Sequence, residues 1–260
     1  DRAEDLAEAD LRLIRGLTEP GAPPDQRVPY LVQVQARGRE FGADLFLEGG
    51  TLQILRLTEK YLLDEPGLAG VVGAYYPARL AASELARLES VFLRAALALG
   101  MTRGIAMVDV ILTEEGPCLL EMALRPGGDC LPDLCRRALG YDPVAAACRV
   151  ALGRHPGPAA TSAPEPLAAL HLLADRSGTI RRLDFGRLLA HPAVVELLEV
   201  YHGPGELLRC WPGSYDERII ASCLVRCAEP RELPGLCRDL PGLIDLELEP
   251  EPPPCPEPRP

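Results

Sequence analysis

Apolar residues recur at Leu6, Leu11, Leu13, Ile14 and Leu17 among charged neighbours, a spacing that predicts an amphipathic helix over residues 1–17. The Gly-Ala-Pro-Pro run at 21–24 ends it. From Pro29 the period shortens to two. YLVQVQARG and EFGADLFLEGG alternate as half-buried strands do, and TLQILRLT after Gly49–Gly50 predicts the return arm of a hairpin. Residues 62–78, with Pro66, Gly67, Gly70, Gly73 and Pro77, read as loop. AASELARLESVFLRAALALG restores helical spacing, with Ser83 as the expected N-cap and Gly100 beyond the end. IAMVDVILTEEGPCLLEMAL then predicts two strands around a tight turn at 114–117. The Gly-rich loop RPGGD and two short helices, PDLCRRALG and DPVAAACRVALG, follow.

The stretch HPGPAATSAPEP at 155–166 reads as a linker. Beyond it, short strand-like runs (LAALHLLAD, GTIRRLDF, ELLEVYHGPGELLRC, IIASCLVRC, LIDLELEP) alternate with the helical pieces GRLLAHPAVVELL and PRELPGLCRDL. The fold class expected is α+β. It divides into one domain over 1–154, a linker over 155–166, a small α+β domain over 167–250 and a disordered Pro-rich tail at 251–260.

Charge narrows the partners. The 38 acidic and 27 basic side chains give a net charge of −11, a surface that repels polyphosphate backbones, so nucleic acid is not expected. No apolar run reaches the roughly 20 residues of a membrane span, and the charged first residues do not resemble a signal peptide, so a cytoplasmic protein is expected. The nine cysteines show no paired C-x-x-C spacing and read as reduced thiols rather than zinc ligands. His155, His171, His191 and His202 show no ligand spacing and read as structural. Lys60 is the single lysine of the chain, and every other basic side chain is arginine. A compact ammonium differs chemically from a planar guanidinium, which draws attention to that position.

The hairpin carries the chemistry. Asp109 lies before its turn and Glu121 after it, so the two carboxylates can lie side by side on one face, where they repel unless a cation separates them. Hard oxygen ligands of this kind suit magnesium with phosphate. Four residues beyond Glu121, Arg125 offers a fork to an anion, and Gly127–Gly128 lets backbone N–H groups approach one. Tyr75 and Tyr76 can be read either as lining a substrate pocket or as packing on the core.

The run G-x-x-x-x-D-V-x-L-x-x-x-G-x-x-L-L-E-x-x-x-R-x-G-G, here Gly104 to Gly128, resembles the magnesium-binding hairpin of ATP-grasp ligases. VQVQARGREFGADLFLEGG resembles that family's adenine-hinge strand and the strand after it, and LRLTEKYLLDEPG the region of a phosphate-contacting lysine. The likeness covers roughly residues 1–155, and a looser one to the small C-terminal domain of amino-acid-ligase and biotin-carboxylase members covers 167–250. It implies the C-terminal half of an ATP-grasp fold, an antiparallel sheet flanked by helices, with the family's nucleotide lid preceding residue 1. It also implies ATP and magnesium, or manganese, as cofactors. Asp109 and Glu121 become metal ligands and Glu40 a ribose acceptor. The backbone at Gln33, Val34, Gln35 and Ala36 becomes the adenine edge, while Lys60 and Arg125 contact the phosphates and the acyl phosphate. The activity implied is ADP-forming ligation of a small carboxylate, such as an amino acid, to an amine. The alternatives are a degenerate nucleotide-binding module or a biotin-carboxylase-like enzyme. Partners are small carboxylates and amines, and a homodimer stays open. The family's asparagine two positions after the bridging glutamate is Ala123 here, which removes one metal ligand and leaves water or Asp129 to take its place.

Overall fold

The computed structural model describes residues 34–62, 70–157, 165–210 and 216–250. The helix expected over 1–17, the tail at 251–260 and Gln33 lie outside the described residues. The chain divides into two compact units, 1–37 and 38–260. Of the first, Val34–Arg37 are described and have no regular secondary structure, although strand alternation had extended through them.

In the second unit the strands are β1 (Arg39–Glu48), β2 (Thr51–Leu62), β3 (Val71–Tyr76), β4 (Arg103–Leu112), β5 (Pro117–Ala123) and β6 (Leu167–Leu173). After them come β7 (Gly178–Asp184), β8 (Val194–Val200), β9 (Leu207–Leu208), β10 (Ile219–Arg226) and β11 (Asp245–Glu249). The helices are α1 (Ala82–Ala98), α2 (Leu131–Leu139), α3 (Pro143–Ala151), α4 (Gly186–Leu189) and α5 (Leu233–Asp239). Eight strands form one antiparallel sheet in the order β5-β4-β1-β2-β3-β6-β10-β8, and β11-β7-β9 form a second.

The hairpin expected at Gly49–Gly50 is present. Both glycines take positive φ, +57° and +80°, as a two-residue turn between right-twisted strands requires. The hairpin from Gly104 to Ala123 also forms, with Asp109 directly opposite Glu121.

Three local expectations are corrected. The segment 62–78 is not all loop, since β2 runs to Leu62 and β3 occupies Val71–Tyr76 in the middle of the sheet. Burial of Val72, Ala74 and Tyr75 outweighs the glycines there, and Gly73 fits because a Cβ would meet Leu170 Cδ2 at 2.9 Å. The N-cap of α1 is Ala81 rather than Ser83. Its backbone N–H donates to Glu84 Oε2 at 2.7 Å, so a first-turn carboxylate satisfies an end donor that a serine was expected to serve. Finally, the linker at 155–166 does not separate two sheets. Strand β6 pairs with β3 from Tyr76↔Leu167 to Gly73↔Leu170, so the segment expected as a small domain extends the main sheet through β6, β10 and β8.

Each face of the main sheet has its own cover. On one, Leu88 and Phe92 of α1 pack on Phe41, Ala43, Leu45, Val108 and Val110. Farther along that face Tyr75, Leu170, Leu172, Cys223 and Val225 meet Leu233 of α5 and Ile180 and Leu208 of the second sheet. On the opposite face Leu134, Cys135, Leu139 and Ala146 of α2 and α3 cover Phe46, Leu55, Ile105 and Ala169. Beside that cover, the second face carries the polar side chains of β1, β2 and β4 together with apolar ones such as Met107 and Ala74.

Candidate active site

Strand period places the polar set. Glu40, Gly42 and Asp44 alternate on β1, and Arg56, Thr58 and Lys60 on β2. The register aligns Gly42 with Thr58 and Asp44 with Arg56. Gly42 also faces Asp109 on β4, which faces Glu121 on β5. One rank of side chains on one face therefore runs from Glu121 through Asp109 and Gly42 to Thr58.

Two charge clusters share this rank. In the deeper one, Arg56 Nε donates to Asp44 Oδ2 at 2.9 Å and Nη2 to Oδ1 at 3.2 Å, with both side chains 1% exposed. Arg56 Nη1 also donates to Thr58 Oγ1 (2.6 Å) and to the Gly42 carbonyl (3.0 Å). Burial opposes the guanidinium charge, but the Asp44 carboxylate outweighs it and holds Arg56 above its ordinary pKa. Asp44 Oδ1 accepts a further hydrogen bond from Gly127 N at 2.7 Å. A Cβ at Gly127 would lie 2.8 Å from Arg56 Nη2, so only glycine lets the RPGGD loop dock on this pair.

In the outer cluster Lys60 Nζ lies 2.9 Å from Glu40 Oε1 and 2.7 Å from Asp109 Oδ2. Gly42 leaves the room: a Cβ there would touch Lys60 Cε at 3.3 Å and Asp109 Oδ1 at 3.4 Å. A cavity of about 330 Å³ opens beside this cluster, and its wall includes Thr58, Lys60, Met107, Asp109, Arg125 and His171. Arg125 is exposed, and its Nη1 donates to the Pro126 carbonyl at 3.1 Å.

Lys60, Asp109 and Arg125, expected from sequence as site residues, thus share one cavity. Glu40 joins them through Lys60. Glu121 is exposed, opposite Asp109 and outside the cavity wall. Among the described residues Glu121 forms no ion pair, so one of the two hairpin carboxylates is open while the other is held by lysine. This donor set fits a divalent cation: two hard carboxylates in register on one face, with an ammonium beside them. Tyr75 lies instead in the core of the other face, donating its O–H to the Ala228 carbonyl at 3.1 Å.

Sequence reasoning missed the Asp44–Arg56 pair and the place of His171. The Asp44–Arg56 pair was signalled only by polar residues at every second position of otherwise apolar strands. His171, read as structural, lies in the cavity wall with Nε2 2.7 Å from Asp129 Oδ2. Asp129, at φ +56°, is expected from sequence only as a substitute metal ligand for the asparagine replaced by Ala123, not as the partner of His171.

No protein-family model matches the chain. Its fold is that of the ATP-grasp ligases. The L-amino acid ligase of Bacillus licheniformis superposes with a TM-score of 0.69 at 17% identity, covering 83% of this chain and 55% of that one. Phosphoribosylglycinamide synthetase of Anaerococcus prevotii gives 0.66 at 18%, with the same coverages. The biotin carboxylase domain of the Hydrogenobacter thermophilus 2-oxoglutarate carboxylase, solved with magnesium ADP and bicarbonate, gives 0.53 at 15%, covering 81% and 46%. In sequence the chain is 31% identical over 216 residues to carnosine synthase 1 of Homo sapiens and 29% over 215 residues to that of Mus musculus. It spans 25% of the length of these curated relatives, which in turn match 78% of this chain. Among the described residues no helix is long and apolar enough to cross a membrane.

Proposed function

We propose that this chain carries part of the catalytic centre of an ATP- and magnesium-dependent ligase that joins a small carboxylate, an amino acid in the preferred case, to an amine and releases ADP. The observation that carries the reading is the rank Glu121–Asp109–Lys60: two carboxylates in register on one sheet face, with the single lysine of the chain on one of them. Carnosine synthase and an amino-acid ligase among the similar proteins support the same class of bond.

In this reading Asp109 and Glu121 hold magnesium, or manganese, which supplies charge neutralisation at the phosphates. Lys60 exchanges its contact with Asp109 for a terminal phosphate oxygen, and Arg125 steadies the acyl phosphate. Glu40 is assigned to the ribose. Phosphoryl transfer asks mainly for positioning and charge compensation, which this set can supply.

The test is ADP release by the full-length protein with ATP, magnesium, an acid and an amine. Glu121→Gln should lower the rate by about 10²–10³-fold, the usual cost of losing one electrostatic contact to the transition state. An unchanged rate would remove the metal assignment. A second reading, a nucleotide-binding module without turnover, is favoured by Ala123. It is distinguished by calorimetric ATP binding of wild-type protein in the absence of any ADP release.

A further inference from the structure

One carboxylate in the cavity wall has no part in the reading so far. Asp129 directly follows the Gly127–Gly128 pair, lines the same cavity as Lys60, Asp109 and Arg125, and is half exposed. Its two oxygens are oriented from behind: Oδ2 by His171 Nε2 at 2.7 Å and Oδ1 by the Cys130 thiol at 3.3 Å. His171 itself is only 11% exposed, and its Nδ1 is buried with no hydrogen-bond partner. A buried Nδ1 without a partner is better left as a bare lone pair, which puts the ring proton on Nε2, donating to Asp129.

Asp129 is therefore an aimed carboxylate with lone pairs to spare. Each of its oxygens has capacity for a second donor. Neither cation nearby uses it: Lys60 is held by Glu40 and Asp109, and Arg125 donates to the Pro126 carbonyl. Among the described residues no lysine or arginine forms an ion pair with Asp129. Burial opposes its charge, but the hydrogen bond from His171, with that of Cys130, outweighs burial and holds the carboxyl below its usual range, which makes it a good counter-ion and a poor base. Burial also pushes the Cys130 thiol far above its ordinary pKa, so it acts as a neutral donor. Although donor atoms of Asp129, Cys130 and His171 lie within 4.8 Å of one another, they read as a hydrogen-bonded array around a carboxylate.

The cavity wall thus holds Arg125 and Lys60 together with an anionic acceptor, Asp129, four positions after Arg125 in the chain. A ligand with a carboxylate at one end and an ammonium at the other complements both. We infer that Asp129, oriented by His171, is the counter-ion for the ammonium group of an amino-acid substrate, the same molecule whose carboxylate is activated. This rests on the ligase reading and deepens it, because it makes the acid substrate a zwitterion and gives its selection to a named pair.

The test uses the full-length protein and matched acids: glycine, 3-aminopropionate, 4-aminobutyrate and 5-aminopentanoate against acetate, propionate, butyrate and pentanoate. ADP release is measured with one amine held constant. Wild type should prefer the best amino acid over its des-amino partner by about 100-fold in kcat/KM, the scale expected for a hydrogen-bonded charge pair in a partly desolvated site. Asp129→Asn suits the positive φ at this position and keeps an acceptor for His171. It should collapse the preference to within about threefold, chiefly through a raised KM for the amino acid. His171→Asn should lose part of the preference.

Five outcomes would overturn the assignment. Wild type that ligates both sets equally removes it and leaves the ligase reading intact. Equal losses on both sets in both variants make the pair structural. A raised KM for the amine with unchanged acid selectivity moves the site to the nucleophile. Stoichiometric zinc on wild type, lost in Asp129→Asn with selectivity unaltered, makes it a metal site. No ADP release with any acid removes the ligase reading, and this inference with it.

Discussion

The Arg56–Asp44 and Lys60–Asp109–Glu40 clusters occupy neighbouring positions on one face of the same strands, yet they differ in what covers them. Arg56 and Asp44 are 1% exposed, and five hydrogen bonds from Arg56 and Gly127 use up the fork and the carboxylate. Lys60, Glu40 and Asp109 are 13%, 11% and 21% exposed, and Lys60 and Asp109 border a cavity. A closed, fully bonded pair fixes where a loop sits, whereas an open pair can exchange partners when a charged ligand arrives. The same chemical types thus serve as scaffold at one depth and as a ligand site at the next.

The sharpest way to break this contrast is to remove one partner of the closed pair. Asp44→Ala leaves the Arg56 guanidinium buried without its carboxylate and Gly127 N without an acceptor. Unfolding free energy should fall by about 3–5 kcal/mol, read by urea denaturation. The double variant Asp44→Leu with Arg56→Met should cost less than the single one, because it leaves no buried charge behind. A single variant as stable as wild type would show that the pair does not hold the loop.

The open cluster should give the opposite split. Lys60→Met is expected to lower ligation about 10²–10³-fold, or ~3–4 kcal/mol in the transition state. Solvent reaches all three side chains of the cluster, so the stability change should stay within about 1 kcal/mol. Steady-state ADP release and thermal melting on one preparation separate the two effects. A variant that melts early and ligates normally would reverse the comparison.

Gly127→Ala tests the joint between the clusters. The new methyl would meet Arg56 Nη2 at 2.8 Å, Leu131 Cδ1 at 3.0 Å and Asp44 Oδ1 at 3.2 Å. Overpacking of this kind costs about 1–3 kcal/mol. Because the loop also carries Arg125 and Asp129, ligation should drop along with stability. Loss of one without the other would show that the loop is not seated by the closed pair.

What the sequence disclosed follows from the range of its signals. The Gly104–Ala123 hairpin was legible because turn, alternation and two carboxylates fall within twenty residues of one another, and its register came out as expected. Lys60 was legible because it has no competitor in composition. Strand β3 was hidden, since its glycines speak for loop locally and only pairing with β2 and β6 makes it a central strand. The partnership of His171 with Asp129 spans 42 residues and two elements, a contact that no local pattern encodes. The continuity of the sheet past the linker was hidden for the same reason: the pairing of β3 with β6 joins positions roughly a hundred residues apart.

The smallest effect tests the one departure from the family pattern. Ala123 stands opposite Met107, on the same face as Glu121 and two positions after it, and its methyl offers nothing to a cation. Ala123→Asn would place an amide oxygen beside the open carboxylate of Glu121, a ligand type that suits magnesium. The gain should be about tenfold at most in magnesium affinity, or ~1.4 kcal/mol. It is read as a lower half-saturating magnesium concentration for ADP release, with no change at saturating metal. Such a gain would mean that Glu121 does border the metal and that water fills the place of the missing side chain. If the magnesium dependence does not move, the exposed end of the rank lies apart from the cation, and Asp109 with Lys60 must define the phosphate end of the site without it.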